Sequence, residues 1–231
     1  MSTLYLIRHG QAGSRDHYDQ LSETGQRQAV LLGRHFRASG VRFDAAYSGS
    51  LERQRQTAAL VLEALPGAPE VRVDPRWNEF DLDSLWKKLA PRLIATDEEF
   101  ARNYERLHRN NPGIDRVMTV CDIELIRTWT RETHPCNGLE SWSEFRRRVE
   151  APLAGLAGHG PDEVIAVFTS ATPLAVWSGM ALGLDVRGIF RILGVLMNSN
   201  YSTFRLRGQE LSLLSLNNTP HLTDPALRTL R

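Results

Sequence analysis

Leu4-Tyr5-Leu6-Ile7-Arg8-His9-Gly10 opens the chain with a short apolar run that stops at an arginine, a histidine and a glycine. An apolar run of strand length closed by a turn residue reads as a buried β-strand followed by a tight turn. In an open α/β sheet the residues just beyond such a strand lie at the carboxyl edge, where these sheets carry their chemistry. Arg8 offers a planar fork of donors that matches phosphate. His9 offers a nitrogen nucleophile, and Gly10 leaves room for an anionic group to approach the backbone. The arrangement suggests a histidine that attacks phosphorus.

The remainder of the chain is patterned to surround that strand with others. Strand-like runs near 3–7, 44–48, 71–73 and 163–168 alternate with helical patterns near 23–38, 51–64, 142–157 and 173–182. This alternation predicts an α/β fold, a three-layer α/β/α sandwich whose largely parallel sheet is covered on both faces. Tyr201–Arg207 and Glu210–Leu216, separated by Gly208-Gln209, read as a β-hairpin. Between Phe80 and Pro135 the pattern changes: Leu85, Trp86, Leu89, Leu93, Phe100, Tyr104 and Leu107 recur at helical spacing, and Ile123 to Trp129 continues it. Residues 1–231 are therefore expected to form one domain with a helical insertion at 81–137. That insertion has two compatible readings, an apolar face packed on the domain and a cap over the pocket.

Three further segments carry candidate chemistry. Tyr47-Ser48-Gly49-Ser50-Leu51-Glu52-Arg53-Gln54-Arg55-Gln56-Thr57-Ala58 puts Arg53 in the first turn of a predicted helix, where its charge and the positive helix end would act on one anion. Arg76-Trp77-Asn78-Glu79-Phe80-Asp81 places a carboxyl between aromatics, a setting that favours a general acid. Val164-Ile165-Ala166-Val167-Phe168-Thr169-Ser170-Ala171-Thr172-Pro173 is a second buried-type strand running into a helix.

With these segments in this order the chain resembles the histidine phosphatase superfamily, also called the phosphoglycerate mutase-like family. The resemblance is carried by Leu6 to Ala12, Tyr18 to Ala29, Ser48 to Ala58, Glu79, Gly138-Leu139-Glu140-Ser141, Val164 to Pro173 and Asn217 to Leu222. It implies that His9 forms a phosphohistidine and that Arg8 and Arg53 clamp the phosphoryl oxygens. It also implies that Glu79 protonates the leaving oxygen and then activates water. No metal or other cofactor is expected.

One departure matters more than the matches. Where the family usually carries a second histidine, this chain has Ser170, which is expected to contact the phosphate in its place. A charged imidazolium donates a hydrogen bond roughly twice as strong as a neutral one. The substitution is expected to cost about 1.5–3 kcal/mol of transition-state stabilisation, roughly tenfold to a hundredfold in rate. The expected function is a metal-independent phosphomonoester hydrolase weakened by Ser170. Two alternatives stay open: a protein that binds a phosphorylated ligand without turnover, and phosphotransfer of the phosphoglycerate mutase type. The second lacks the arginine-histidine-tyrosine signature that mutases carry after Glu79. A serine hydrolase built on Ser170 is disfavoured, because Phe168 and Thr172 stand where a nucleophile elbow wants glycine. Arg15, where related sequences often have asparagine, reads either as charge at the pocket rim or as a solvated side chain.

Composition sets the outer limits. The 231 residues, 42% hydrophobic and 24% charged, can bury a sizeable core. A formal net charge of +1 gives no electrostatic reason to expect nucleic acid or a membrane surface. The expected partners are a small phosphomonoester or phosphate, with a homodimer compatible. Two cysteines, Cys121 and Cys136, predict no disulfide framework, and with no signal-peptide pattern they point to a cytoplasmic protein. The histidines besides His9 show no ligand spacing. Lys87 and Lys88 are the only lysines, so an isolated arginine says little, and Arg146-Arg147-Arg148 reads as a solvated helix face.

Overall fold

In the computed structural model, which describes residues 1–13, 18–110, 120–133 and 138–230, the opening run is strand β1, Ser2–Arg8. Arg15, His17, His134 and Cys136 lie outside the described residues. The chain divides into two compact units, Met1–Glu79 with Arg148–Arg231, and Phe80–Arg147.

The first unit is built on a six-stranded sheet among the described residues. With β2 at Ala45–Ser48, β3 at Val71–Val73, β4 at Val164–Thr169, β5 at Tyr201–Arg207 and β6 at Glu210–Asn218, the order is β3-β2-β4-β1-β5-β6. The four strands from β3 to β1 are parallel, and β5 and β6 add an antiparallel edge. Near-continuous burial along β1 and β4 reflects helices on both faces, as the alternating pattern requires. One face is filled by Ile7, Leu32, Phe36, Phe43, Val61 and Phe168. The chain is an α/β sandwich of the expected class.

Helix α1, Glu23–Ala38, starts where Ser22 accepts the N–H of Gly25, and α2 spans Glu52–Glu63. In the second unit α3 is Leu82–Thr96, α4 Glu98–Asn110 and α5 Val120–Arg131. Its apolar positions bury an aromatic cluster in which Trp129 lies 4.8 Å from Phe80 and 5.6 Å from Phe145 by ring centroid.

The single helix expected over 142–157 is two, α6 at Trp142–Glu150 and α7 at Pro152–Leu156. Proline has no N–H to continue the ladder and crowds the preceding turn, so it starts a new helix. Helix α8, Ala171–Leu182, begins before Pro173, because proline in a first turn forfeits no hydrogen bond. Helix α9, Val186–Leu193, was not expected; Asp185 caps it by accepting the N–H of Gly188. Among the described residues no helix is long and apolar enough to cross a membrane.

Candidate active site

Parallel register brings the candidate residues together. Arg8 pairs with Thr169 across β1 and β4, and the His9 N–H donates to the Thr169 carbonyl at 2.9 Å, so His9 and Ser170 leave adjacent strands side by side. Ser48 pairs with Phe168 and with Val73, which places the segment leading to Arg53 and the turn leading to Glu79 at the same carboxyl edge. Four neighbouring parallel strands thus each deliver at least one candidate, and β1 delivers both Arg8 and His9.

His9 is buried, 4% exposed, and its tautomer follows from its partners. Nδ1 lies 2.7 Å from the Gly10 carbonyl, which can only accept, so Nδ1 carries the proton. Nε2 is the free base, and Arg53 Nε donates to it at 3.2 Å. Burial first, then the Arg53 and Arg8 charges, hold the imidazole well below its ordinary range. A neutral ring nitrogen held by one guanidinium, with the charge of a second acting on it, is an arrangement that an oxyanion would complete.

Arg53 sits in the first turn of α2, and its other arm, Nη1, donates to Asp19 Oδ1 at 2.8 Å. Asp19 Oδ2 also accepts the Glu52 N–H at 3.1 Å. The anion at the start of α2 is therefore one the chain supplies itself, and it fixes the plane of the Arg53 fork. Sequence reasoning passed over Asp19. Tyr18 lies under the same guanidinium at 5.1 Å.

Arg8 donates from Nη1 to the Leu196 carbonyl and from Nη2 to that of Leu230 at 3.1 Å. Its Nε is buried without a hydrogen-bond partner among the described residues. Burial pushes the guanidinium down to about 10, with Arg53 adding to the shift and Tyr18 and Glu79 opposing it, so it stays cationic at neutral pH. Gly10 is required for a reason other than ligand approach. A Cβ there would run into the Gly25 carbonyl at the start of α1.

Glu79 is half-buried and accepts the Thr172 N–H at 3.1 Å, in the first turn of α8. The turn carrying it is clamped by Arg148, whose Nη1 donates to the carbonyls of Pro75, Arg76 and Asn78 at 3.2, 3.1 and 3.0 Å. Arg148 is thus no solvated cation, although its neighbour Arg147 is exposed. Trp77 is buried against Trp177 at 5.0 Å, which anchors the turn from inside.

Ser170, 1% exposed, accepts a hydrogen bond from Gln54 Nε2 at 2.8 Å and makes no side-chain cap on α8. Gln54 was not among the expected residues.

Behind His9, Ser199 donates its N–H to the His9 carbonyl at 3.1 Å from a left-handed conformation, φ 58°. Its hydroxyl lies 3.1 Å from His221 Nε2. Burial, aided by nearby His35, pushes His221 down to about 3. An unfolded histidine titrates near 6.5, so this one contributes stability that is complete above about pH 6.5 and is lost as pH falls towards 3. The unfolding temperature is expected to decline through that window. His221→Asn should start lower at neutral pH yet decline less steeply, and an unchanged slope would assign the acid sensitivity elsewhere. Among the described residues no three His, Cys, Asp or Glu side chains converge in a set that could hold a metal ion.

This geometry can be set beside known proteins. A sequence model of the histidine phosphatase superfamily (branch 1) matches residues 4–122 and 119–219. The chain belongs to the histidine phosphatase superfamily. Among curated relatives it is similar to a 2,3-bisphosphoglycerate-dependent phosphoglycerate mutase of Methylobacterium sp. (strain 4-46), 39% identical over 36% of this chain and 43% of that protein. It is also similar to a broad-specificity phosphatase of Saccharomyces cerevisiae, 42% identical over 26% of this chain and 29% of the other. The chain thus spans less than half the length of these relatives. Among solved structures, a putative alpha-ribazole-5'-P phosphatase of Escherichia coli superimposes with a TM-score of 0.65 at 22% identity, covering 94% of this chain and 97% of that one. YhfR of Bacillus stearothermophilus gives a TM-score of 0.67 at 17% identity over 96% and 99%. These two likenesses show the fold alone.

Proposed function

We propose that this protein is a phosphomonoester hydrolase that needs no metal and works through a phosphohistidine on His9. The observation that carries the reading is the neutral, Nδ1-protonated His9 whose Nε2 accepts from Arg53 Nε, with the Arg8 charge also acting on the ring. Both arginines pre-organise positive charge where the phosphoryl oxygens gather charge in the transition state. A bound oxygen takes the Arg53 Nε donor and releases the Nε2 lone pair. His9 Nε2 then bonds to phosphorus as the bond to the leaving oxygen breaks, and Glu79 gives that oxygen its proton. In the second half Glu79, now a carboxylate, takes a proton from water, whose oxygen attacks phosphorus as the N–P bond breaks. Inorganic phosphate and a neutral His9 result. Ser170 supplies one neutral donor to the same oxygens. The substrate is a small phosphomonoester, and a reducing compartment suits a chain whose buried Cys121 is a free thiol.

The test is to mix the enzyme with a phosphomonoester labelled in phosphorus and quench in alkali. Label bound to the chain that survives base and is released by acid marks a phosphoramidate, and it should map to His9. A label stable to acid would place a phosphoester on a hydroxyl and overturn the mechanism. Phosphate binding without any incorporation would favour the non-catalytic binder. Label passing to a phosphoglycerate acceptor instead of water would favour the mutase.

A further inference from the structure

We propose that Gln54 is a positioning residue that aims the Ser170 hydroxyl hydrogen at the phosphoryl group, making Ser170 a single, oriented neutral donor where the family usually carries a second histidine. This rests on the hydrolase reading above and names how the same site is held.

The amide of Gln54 is fully buried and its orientation is determined by its neighbours. Oε1 accepts the Leu51 N–H at 3.3 Å, while Nε2 donates to the Trp77 carbonyl at 3.1 Å and to Ser170 Oγ at 2.8 Å. Leu51 N–H can only donate and the Trp77 carbonyl can only accept, so a flipped amide would set donor against donor and acceptor against acceptor. Nε2 is therefore the group facing Ser170, and Ser170 Oγ is the acceptor. A hydroxyl has one hydrogen. With its oxygen engaged by Gln54 and no cap bond made to α8, that hydrogen is left to donate at the carboxyl edge beside His9.

A second observation shows that the fold makes room for this amide. A Cβ on Gly49, the residue after β2, would collide with Gln54 Oε1 and with Asn78 Oδ1. The same carbonyl of Trp77 also accepts Thr169 Oγ1 at 2.7 Å, which ties the amide to the turn before Glu79 and to the end of β4. Gln54 thus joins three of the four strand ends that build the site. A buried serine without such a donor would have no fixed hydroxyl direction.

The test is a double-mutant cycle on turnover of p-nitrophenyl phosphate. Ser170→Ala should lower kcat by roughly tenfold, the worth of one hydrogen bond to a charged group. Gln54→Glu should lower it about as much, because a carboxylate at 54 accepts the Ser170 hydrogen and turns it away from phosphorus. Gln54→Met keeps the shape, removes the donor and should cost several-fold. In the Ser170→Ala background Gln54→Met should cost little further, while Gln54→Glu retains only the cost of setting a carboxylate against the Trp77 carbonyl. Equal losses in the two backgrounds would show that Gln54 acts as a structural strut, and would overturn the proposal. If Gln54→Glu fails to fold, Gln54→Met alone decides by the same comparison. Should His9 never incorporate label, the hydrolase reading falls by itself. The cycle is then read in the Kd for inorganic phosphate, where coupling supports the Gln54 assignment and equal losses overturn it.

Discussion

His9→Ala is expected to lower turnover by roughly a thousandfold or more, the scale on which removal of a covalent nucleophile acts. At 1.36 kcal/mol per decade this is about 4 kcal/mol of barrier or more. The variant should remain folded, since among the described residues the His9 ring is hydrogen-bonded only to the Gly10 carbonyl and Arg53 Nε, while its backbone N–H and carbonyl keep Thr169 and Ser199. It should also keep its affinity for inorganic phosphate, because both guanidinium groups stay and Arg53 Nε gains a free donor. A further readout is independent of catalysis. His9 is held below its ordinary range by burial and by Arg53 and Arg8, so it contributes stability that is present above about pH 6.5 and lost below it. His9→Ala should therefore flatten part of the acid decline in unfolding temperature. Turnover that survives the substitution would refute covalent catalysis at this residue. Loss of both turnover and phosphate binding would mark His9 as structural.

The sheet and its strand ends were legible because they depend on local pattern. The apolar runs that became β1 and β4 are continuous, as strands buried on both faces must be, and their glycine, serine and proline exits mark the carboxyl edge. Where the sequence was silent, the missing information was pairing. Asp19 stands far from Arg53 along the chain, and nothing in its neighbours says that its two oxygens will close the start of α2. Arg148 is chemically the same as Arg146 and Arg147, and only the fold brings it to the carbonyls before Glu79. Gln54 is harder still. Its amide reads three partners at once, Leu51, Trp77 and Ser170, the last 116 positions away. Gly10 and Gly49 were visible as glycines, but the groups that require them, the Gly25 carbonyl and the Gln54 amide, come from elsewhere in the chain.

Glu79→Gln is expected to separate substrates by leaving group. A general acid contributes roughly 10²–10⁴-fold where the leaving oxygen is basic, and little where it leaves unassisted. For an alkyl phosphate kcat/KM should fall within that range, since this ratio reports the steps up to the first irreversible one, cleavage of the P–O bond. For p-nitrophenyl phosphate kcat/KM should change by only a few-fold. The second half-reaction has no leaving alcohol, yet it loses its base for water with either substrate, so the phosphorylated His9 should accumulate. The visible consequence is a burst of about one equivalent of p-nitrophenolate followed by slow turnover, the kinetic fingerprint of a covalent intermediate. The local structure should survive, because the side-chain carbonyl of the introduced glutamine can accept the Thr172 N–H as the Glu79 carboxylate does. If instead kcat/KM fell equally for alkyl and aryl substrates, with no burst, the Glu79 carboxylate would be holding the start of α8 and the proton would have to come from another group.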